Sequence, residues 1–221
     1  MTGAVKIQAV IFDFGGVVCF HPDPPRWKRA AEIANLPVEE FMRAFWANRI
    51  EYDAGRWTPA EYWHSVAQIA GTHFADSELP ALIRREIELW NNYDSRVFRW
   101  TRQLRAAGIR TAILSNLPQP LGEELRGTPG FLEHFDHATF SYELGLVKPQ
   151  PEIYRHAFEG LGIAPAEALF LDDRQDNVDG SCAVGLRGEV YTTWEDFVAS
   201  GLPARYALPA PDVAEDVARL Q

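Results

Sequence analysis

A run of apolar residues, 9–12, leads directly to Asp13, and two glycines follow within the next three positions. Such a run is typical of a buried strand, and the glycines predict a tight turn that only small residues can make. A carboxylate at the end of a buried strand is costly unless a partner or a reaction uses it. A simple capping or turn role for Asp13 stays open at this point, because aspartate–glycine turns are common.

The pattern after Asp13 changes twice along the chain. A proline-rich break at 21–25 opens a stretch of helical pattern that continues to about residue 93. Within this stretch, the Thr-Pro-Ala-Glu sequence at 58–61 predicts a helix that begins with a capping box. Beyond residue 93, helices alternate with buried strands, which are predicted at 111–114, 137–140, 168–171 and 189–191. A last helix is predicted at 211–220.

Alternation of strands and helices predicts an α/β fold with a parallel sheet. The core is predicted to comprise residues 1–20 and 94–221, with an all-helical unit inserted at 21–93. Five of the seven tryptophans fall in the insert and are predicted to form its core: Trp27, Trp46, Trp57, Trp63 and Trp90. Trp57 lies in a turn between helices, which makes it the best candidate among them to face a ligand.

Composition narrows the classes of partner and the compartment. The net charge of −10 argues against nucleic acid or an anionic membrane as the partner. No apolar run is long enough to span a bilayer, and the first residues do not resemble a signal peptide. The two cysteines, Cys19 and Cys182, show no disulfide or zinc spacing and are predicted to be buried thiols. We therefore expect a cytoplasmic protein, as a monomer or homodimer.

Three predicted strands end in polar residues: Asp13, Ser115–Asn116 and Asp172–Asp173. The carboxyl ends of parallel strands share one edge of a sheet, where ligands bind. Carboxylates that meet there repel one another unless a cation joins them, and oxygen ligands suit Mg²⁺. The hydroxyl, amide and backbone N–H groups at 115–116 suit a phosphate. Lys148, which precedes a proline, could provide a positive charge, although most lysines are simply solvated.

Four segments, in this order, resemble the four motifs of the haloacid dehalogenase superfamily: Phe-Asp-Phe-Gly-Gly-Val at 12–17, Leu-Ser-Asn at 114–116, Lys-Pro-Gln-Pro-Glu-Ile-Tyr at 148–154, and Phe-Leu-Asp-Asp, followed by Asn177, at 170–173. The helical insert lies where the small helical cap domain of that superfamily lies. The resemblance covers nearly the whole chain and implies a Rossmann-like core with a helical cap.

The resemblance also implies a mechanism. Asp13 would attack phosphorus and form an aspartyl-phosphate, with Lys148 as the second catalytic residue. Magnesium would be held by the Asp13 carboxylate, the Gly15 carbonyl and Asp173, with Asp172 as a further ligand or a support. The substrate would contact Ser115, Asn116, Lys148, Gly16 and Trp57. The implied function is a Mg²⁺-dependent phosphatase of a small phosphorylated metabolite, with sugar phosphates among the candidates.

One position departs from the pattern of most phosphatases in the superfamily. The second residue after the nucleophile is usually an acid–base aspartate, and here it is Gly15, a loss expected to cost roughly 10²- to 10⁴-fold in rate. A branch with glycine there includes bacterial phosphatases that act on glucose 1-phosphate, and His21 or Asp23 could substitute. Two alternatives stay open: a metal-independent 2-haloacid dehalogenase-type hydrolase, and a catalytically weakened phosphate-binding protein.

Overall fold

The computed structural model describes residues 6–212, and its centre is a sheet of five parallel strands. The strands are β1 (Ala9–Phe12), β2 (Arg110–Ser115), β3 (His137–Phe140), β4 (Ala168–Asp172) and β5 (Arg187–Val190), in the spatial order β3-β2-β1-β4-β5. Residues of β1, β2 and β4 alternate between two apolar clusters on opposite faces of the sheet. The predicted α/β fold with a Rossmann-like parallel sheet is confirmed.

Five helices lie in the segment 21–93 that follows β1: α1 (Pro24–Ile33), α2 (Val38–Ala47), α3 (Arg49–Asp53), α4 (Pro59–Ile69) and α5 (Leu79–Leu89). The predicted capping box forms, since the Thr58 side chain accepts from the Glu61 amide and the Glu61 carboxylate accepts from the Thr58 amide. One helix predicted over 38–52 is divided at Asn48, whose ψ of 23° departs from helical geometry. The fourth predicted helix begins at Leu79 rather than at residue 76 or 77.

The tryptophans of this insert do not share one environment. Trp27, Trp63 and Trp90 are buried, whereas the side chain of Trp46 is 46% exposed. The expectation that all five form the core is therefore wrong for Trp46. Trp57 is half-buried and packs against the main apolar cluster with one side.

Seven α-helices follow the insert in the part of the chain that the structure describes: α6 (Ser95–Ala106), α7 (Gln119–Gly127), α8 (Ser141–Leu144), α9 (Pro151–Gly160), α10 (Gln175–Ala183), α11 (Trp194–Ala199) and α12 (Leu202–Arg205). The cap of α6 is Asp94 and not Ser95, because the Asp94 carboxylate accepts from the Arg96 amide at 2.9 Å. Cys182 is exposed, contrary to prediction, while Cys19 is buried. The predicted helix at 211–220 falls almost wholly outside the described residues. No helix among residues 6–212 has the length and apolarity needed to cross a bilayer.

Candidate active site

The nucleophile candidate Asp13 lies where β1 ends, beside the end of β4. Phe12 pairs with Leu171 in the parallel register, and the Asp13 amide donates to the Leu171 carbonyl at 2.9 Å. Asp13 therefore lies level with Asp172. Its side chain is hydrogen-bonded to the backbone of the following turn, because Oδ1 accepts from the Phe14 amide at 2.7 Å.

A buried ammonium group joins the two carboxylates. Lys148 Nζ lies 2.7 Å from Asp13 Oδ1 and 2.6 Å from Asp172 Oδ2, and only 3% of the lysine is exposed. Asp172 has further donors, since it accepts from Asn177 Nδ2 at 3.0 Å and from the Arg174 amide at 2.9 Å. This fully buried carboxylate is thus occupied in holding Lys148 against Asp13, and Lys148 is not the solvated surface residue that most lysines are.

The electrostatics of Asp13 follow from its burial. Loss of solvent raises the pKa of the Asp13 carboxyl to about 7, and the neighbouring carboxylates of Asp172 and Asp173 act in the same direction. Lys148 opposes this shift without cancelling it. The site therefore carries more negative than positive charge unless a further cation binds.

The third carboxylate, Asp173, faces the same space. One oxygen from each of Asp13, Asp172 and Asp173 lies within 4.8 Å of the others, a donor set suited to a divalent cation that prefers oxygen. No described hydrogen bond uses the Gly15 carbonyl, which remains available to such an ion. Asp173 Oδ2 also lies 3.0 Å from His21 Nε2, and this contact raises the pKa of the histidine.

Gly16 is required by both conformation and space. Its φ is +81°, and a Cβ there would lie 2.8 Å from Asp173 Cγ and 2.8 Å from His21 Nε2. Its amide donates to the Cys19 carbonyl at 2.7 Å, so this N–H is engaged within the turn rather than free for substrate. The absent side chain leaves room beside Asp173, where the donor set is suited to an ion.

Replacing Gly16 with alanine should therefore remove metal binding. The positive φ alone should cost roughly 1–2 kcal/mol of stability, and Gly130→Ala is a matched control because Gly130 has a φ of +78° with no neighbour within 4 Å. We expect both variants to show a lowered Tm, but only Gly16→Ala to lose Mg²⁺ affinity in calorimetric titration. Parental affinity in Gly16→Ala would show that the space beside Asp173 does not serve the ion.

Gly15 differs from Gly16, because its φ is not positive and space alone limits the residue. A Cβ on Gly15 would lie 3.0 Å from Cζ3 of Trp90, whose ring covers this side of the turn. Trp90 also packs edge-on against His21, with ring centroids 6.4 Å apart. The indole of Trp90 thus borders the space that the side chain of the usual acid–base aspartate would occupy.

Of the two residues suggested as replacement acids, the structure brings only His21 to the site. The Asp23 carboxylate accepts from the Arg26 amide at 2.9 Å and caps α1. His21 instead contacts Asp173, and both Asp13 and Asp173 favour its protonated form.

The second motif positions Lys148 as well as presenting polar groups. The Asn116 side chain accepts from the Lys148 amide at 2.8 Å and donates to the Lys148 carbonyl at 3.2 Å. The side-chain amide of Asn116 is therefore hydrogen-bonded to the backbone of Lys148 and is not free to bind a phosphate. Ser115 is buried at the end of β2, between the ends of β1 and β3 in the sheet.

One hydrogen-bonded contact between the helical insert and the core runs through a buried hydroxyl at the start of α8. The fully buried Ser141 Oγ donates to the Asp53 carbonyl at the end of α3 and accepts from the Leu117 amide at 2.9 Å. Close by, Arg56 Nη1 donates to the Gly145 carbonyl at 3.3 Å. The turn that carries Trp57 is thus attached to the loop that follows Ser115 and Asn116.

Sequence reasoning gave Asn177, Ser141 and Trp90 no role at the site, although Asn177 was part of the fourth motif and Trp90 was predicted to lie in the core of the insert. For Asn177 a signal existed in the fourth motif, since it lies in the first turn of α10, directly after β4, and its side chain donates to the Asp172 carboxylate. Ser141 and Trp90 lie outside the motifs in sequence, and only the fold brings them to the site.

Comparison with known proteins identifies the family. The family model of haloacid dehalogenase-like hydrolases matches residues 7–185. A sesquiterpene phosphatase of Aspergillus oryzae is 27% identical over 82% of this chain and 88% of its own length. Haloacid dehalogenase-like hydrolase domain-containing protein 3 of Mus musculus is 32% identical over 80% of this chain and 77% of its own.

Solved structures share the fold. An enzyme of this family from Bacteroides thetaiotaomicron, crystallised with magnesium and inorganic phosphate, superposes with a TM-score of 0.68 at 21% identity, covering 87% of this chain and 99% of that one. The L-2-haloacid dehalogenase of Xanthobacter autotrophicus gives 0.65 at 22% identity, over 90% and 83%. With the family model spanning both strand-end carboxylate motifs and Lys148, the chain belongs to the haloacid dehalogenase-like hydrolases.

Proposed function

We propose that this protein is a Mg²⁺-dependent phosphatase that hydrolyses a small phosphorylated metabolite through Asp13. The observation that carries the proposal is the charge balance around the nucleophile. Three carboxylates converge within 4.8 Å, and among residues 6–212 Lys148 is the one ammonium group in contact with two of them. When these three carboxylates are ionised, they exceed Lys148 by two negative charges, and protonated His21 beside Asp173 would offset one of the two. Negative charge therefore stays in excess, and a divalent cation would balance it before a phosphate dianion approaches.

In this proposal an oxygen of Asp13 attacks phosphorus while the bond from phosphorus to the ester oxygen breaks. The resulting aspartyl-phosphate is cleaved at its phosphorus–Asp13 bond by water, which restores the carboxylate and releases phosphate. Lys148 stays within reach of Asp13 Oδ1 and offsets charge on the phosphoryl group. Magnesium, held by Asp13, Asp173 and the Gly15 carbonyl, would neutralise phosphoryl oxygens.

Residues 21–93 would act as the cap that closes over the substrate. Trp57 belongs to the turn that Ser141 joins to the loop after β2, and this attachment supports a contact between the exposed part of its ring and the organic part of the substrate. The nature of that organic part, with sugar phosphates among the candidates, is part of the proposal.

The dehalogenase alternative has one observation in its favour, the structural likeness to L-2-haloacid dehalogenase. The carboxylates argue against it. Two further acidic groups beside Asp13 would repel a 2-haloacid, whose own carboxylate must enter the same space.

A direct experiment separates the candidates. Purified protein is assayed for hydrolysis of p-nitrophenyl phosphate with Mg²⁺ and with excess chelator, and in parallel for halide release from a 2-haloacid. We expect phosphate release that requires Mg²⁺ and no halide release. Halide release in the presence of chelator would show that the protein is a dehalogenase. Binding of phosphate without turnover would show that it is a non-catalytic phosphate-binding protein.

The two neighbouring aspartates should differ in their effect on the metal. Asp172 is enclosed by Lys148, Asn177 and the Arg174 amide, whereas Asp173 faces the open side of the turn at Gly16. We expect Asp173→Asn to weaken Mg²⁺ binding at least tenfold more than Asp172→Asn does, by calorimetric titration. An equal or reversed ranking would refute this assignment of roles.

Mg²⁺ binding should also depend on pH through Asp13. Because burial raises the pKa of this carboxyl to about 7, the group is mostly protonated at pH 6 and mostly ionised at pH 8. Binding must then displace a proton, and Mg²⁺ affinity should rise about tenfold from pH 6 to pH 8 and level off above it. Titrations in buffers of different ionisation enthalpy measure the proton released. Asp13→Asn should flatten the profile, and an unchanged slope in that variant would assign the proton to another group.

A further inference from the structure

A polar cavity lies in the helical insert, between α1 and α5, and shares no residue with the Asp13 centre. Its volume is about 260 Å³. Four arginines line it, together with one glutamate and one asparagine: Arg26, Arg29, Arg84, Arg85, Glu88 and Asn91. The whole chain carries a net charge of −10, so four guanidinium groups around one cavity make a local field of opposite sign to that of the molecule.

The arginines are only partly neutralised. Arg84 and Arg85 share one carboxylate, with Arg84 Nε 3.3 Å from Glu88 Oε1 and Arg85 Nη1 2.5 Å from Glu88 Oε2. Arg84 has a second, longer contact of 3.7 Å with Glu124 of α7. Within the lining itself, one glutamate faces four arginines, and positive charge remains in excess.

The other two arginines keep their full charge. Arg26 donates to the Glu88 carbonyl at 2.5 Å and to the Asn91 side-chain oxygen, both of them uncharged acceptors. These contacts fix the guanidinium without compensating it. Arg29 is exposed and makes no ion pair with any residue from 6 to 212. Fixed, uncompensated guanidinium groups are suited to anions that accept paired hydrogen bonds.

We propose that this arginine pocket binds a small polyanion, and that its anionic groups are phosphates. Phosphate oxygens match the planar fork of arginine, and several charges on one ligand match the excess of guanidinium groups. The cavity is smaller than the 300–1,000 Å³ usual for drug-sized ligands, which favours a molecule of the size of a diphosphate. The proposal does not depend on the activity assigned to Asp13.

Inorganic pyrophosphate is the probe, titrated calorimetrically into the full chain in excess chelator at low salt. We expect one binding site, an affinity lowered at least tenfold by Arg29→Gln, and a further loss on adding Arg85→Gln. Arg29→Gln breaks no described ion pair and should fold. Arg155→Gln, an exposed arginine on α9 that pairs with Glu152 at 3.1 Å, is the matched control and should bind as the parent does.

Lys148→Met separates this pocket from the catalytic centre. If that variant loses pyrophosphate and Arg29→Gln keeps it, the anion binds at the Asp13 site and the proposal is overturned. Absence of binding to the parent overturns it too. Citrate at matched ionic strength tests the commitment to phosphate, because citrate that binds more tightly than pyrophosphate would assign the pocket to a polycarboxylate instead.

Discussion

Asp13→Asn should reduce turnover of every phosphate ester by roughly 10⁴-fold or more, because the substitution removes the attacking oxygen and keeps the shape of the side chain. The fold should survive, since the backbone bond from the Asp13 amide to Leu171 does not involve the side chain. An uncharged amide also avoids the cost of burying a charged carboxylate, which is the main cause of its raised pKa, so the variant should be at least as stable as the parent.

The measurement is steady-state hydrolysis of p-nitrophenyl phosphate with Mg²⁺, with circular dichroism and Tm as the test of folding. Substitution of the exposed, capping Asp23 by asparagine provides a control of the same chemistry away from the nucleophile. Asp23→Asn should keep parental turnover. A folded Asp13→Asn protein with more than a few per cent of parental activity would show that another group attacks phosphorus.

The second large effect concerns the leaving group. Since Gly15 carries no proton donor, the rate should depend steeply on leaving-group pKa, and aryl, acyl or anomeric phosphates should exceed simple alkyl phosphates by about 10²- to 10⁴-fold. A series of aryl and alkyl phosphates assayed under one condition gives this slope directly. A flat slope would mean that another residue already donates the proton.

His21 is the residue to examine in that case. Its Nε2 atom lies 3.0 Å from Asp173, and its ring packs against Trp90 over the same turn. If it donates the proton, His21→Gln should steepen the dependence, and Asp23→Asn, whose carboxylate caps a helix, should leave it unchanged. Equal slopes in the parent and in both variants would exclude both residues as the acid.

Restoring a carboxylate at Gly15 tests the same point from the other side. The backbone there needs no glycine, because its φ is not positive, so the obstacle is the Trp90 ring 3.0 Å from the new Cβ. Gly15→Asp should help alkyl substrates selectively only when Trp90 is also made smaller, for example by Trp90→Leu. Trp90→Leu alone controls for loss of packing, and no gain in the double variant would show that this position cannot deliver a proton.

Much of the sheet could be predicted because buried parallel strands are short apolar runs with polar ends. The register that sets Asp13 beside Asp172 depends on the strand order, which the apolar pattern alone does not determine. Helix boundaries were less certain where two residues of similar capping chemistry adjoin, as with Asp94 and Ser95. The division of the second helix at Asn48 depends on packing, which leaves no periodic signal.

The parts of the site that could not be predicted are contacts between distant segments. The four motifs indicated which residues would converge, yet not that Asn116 would hold the backbone of Lys148. Nor did they indicate that Ser141 would join the insert to the loop after β2. A single serine hydroxyl or a single indole has no pattern in the sequence, because its partner is defined only once the chain has folded.

The contact between Trp90 and Gly15 also limits how this protein could evolve. A change of Gly15 to aspartate alone places the new side chain against the indole and should lower stability, and loss of Trp90 alone should open the turn without adding a function. Neither first step is favourable by itself, so the pair should show strong epistasis. Lineages that carry both Gly15 and Trp90 should therefore keep glycine at position 15 over long periods, even when selection favours a different substrate.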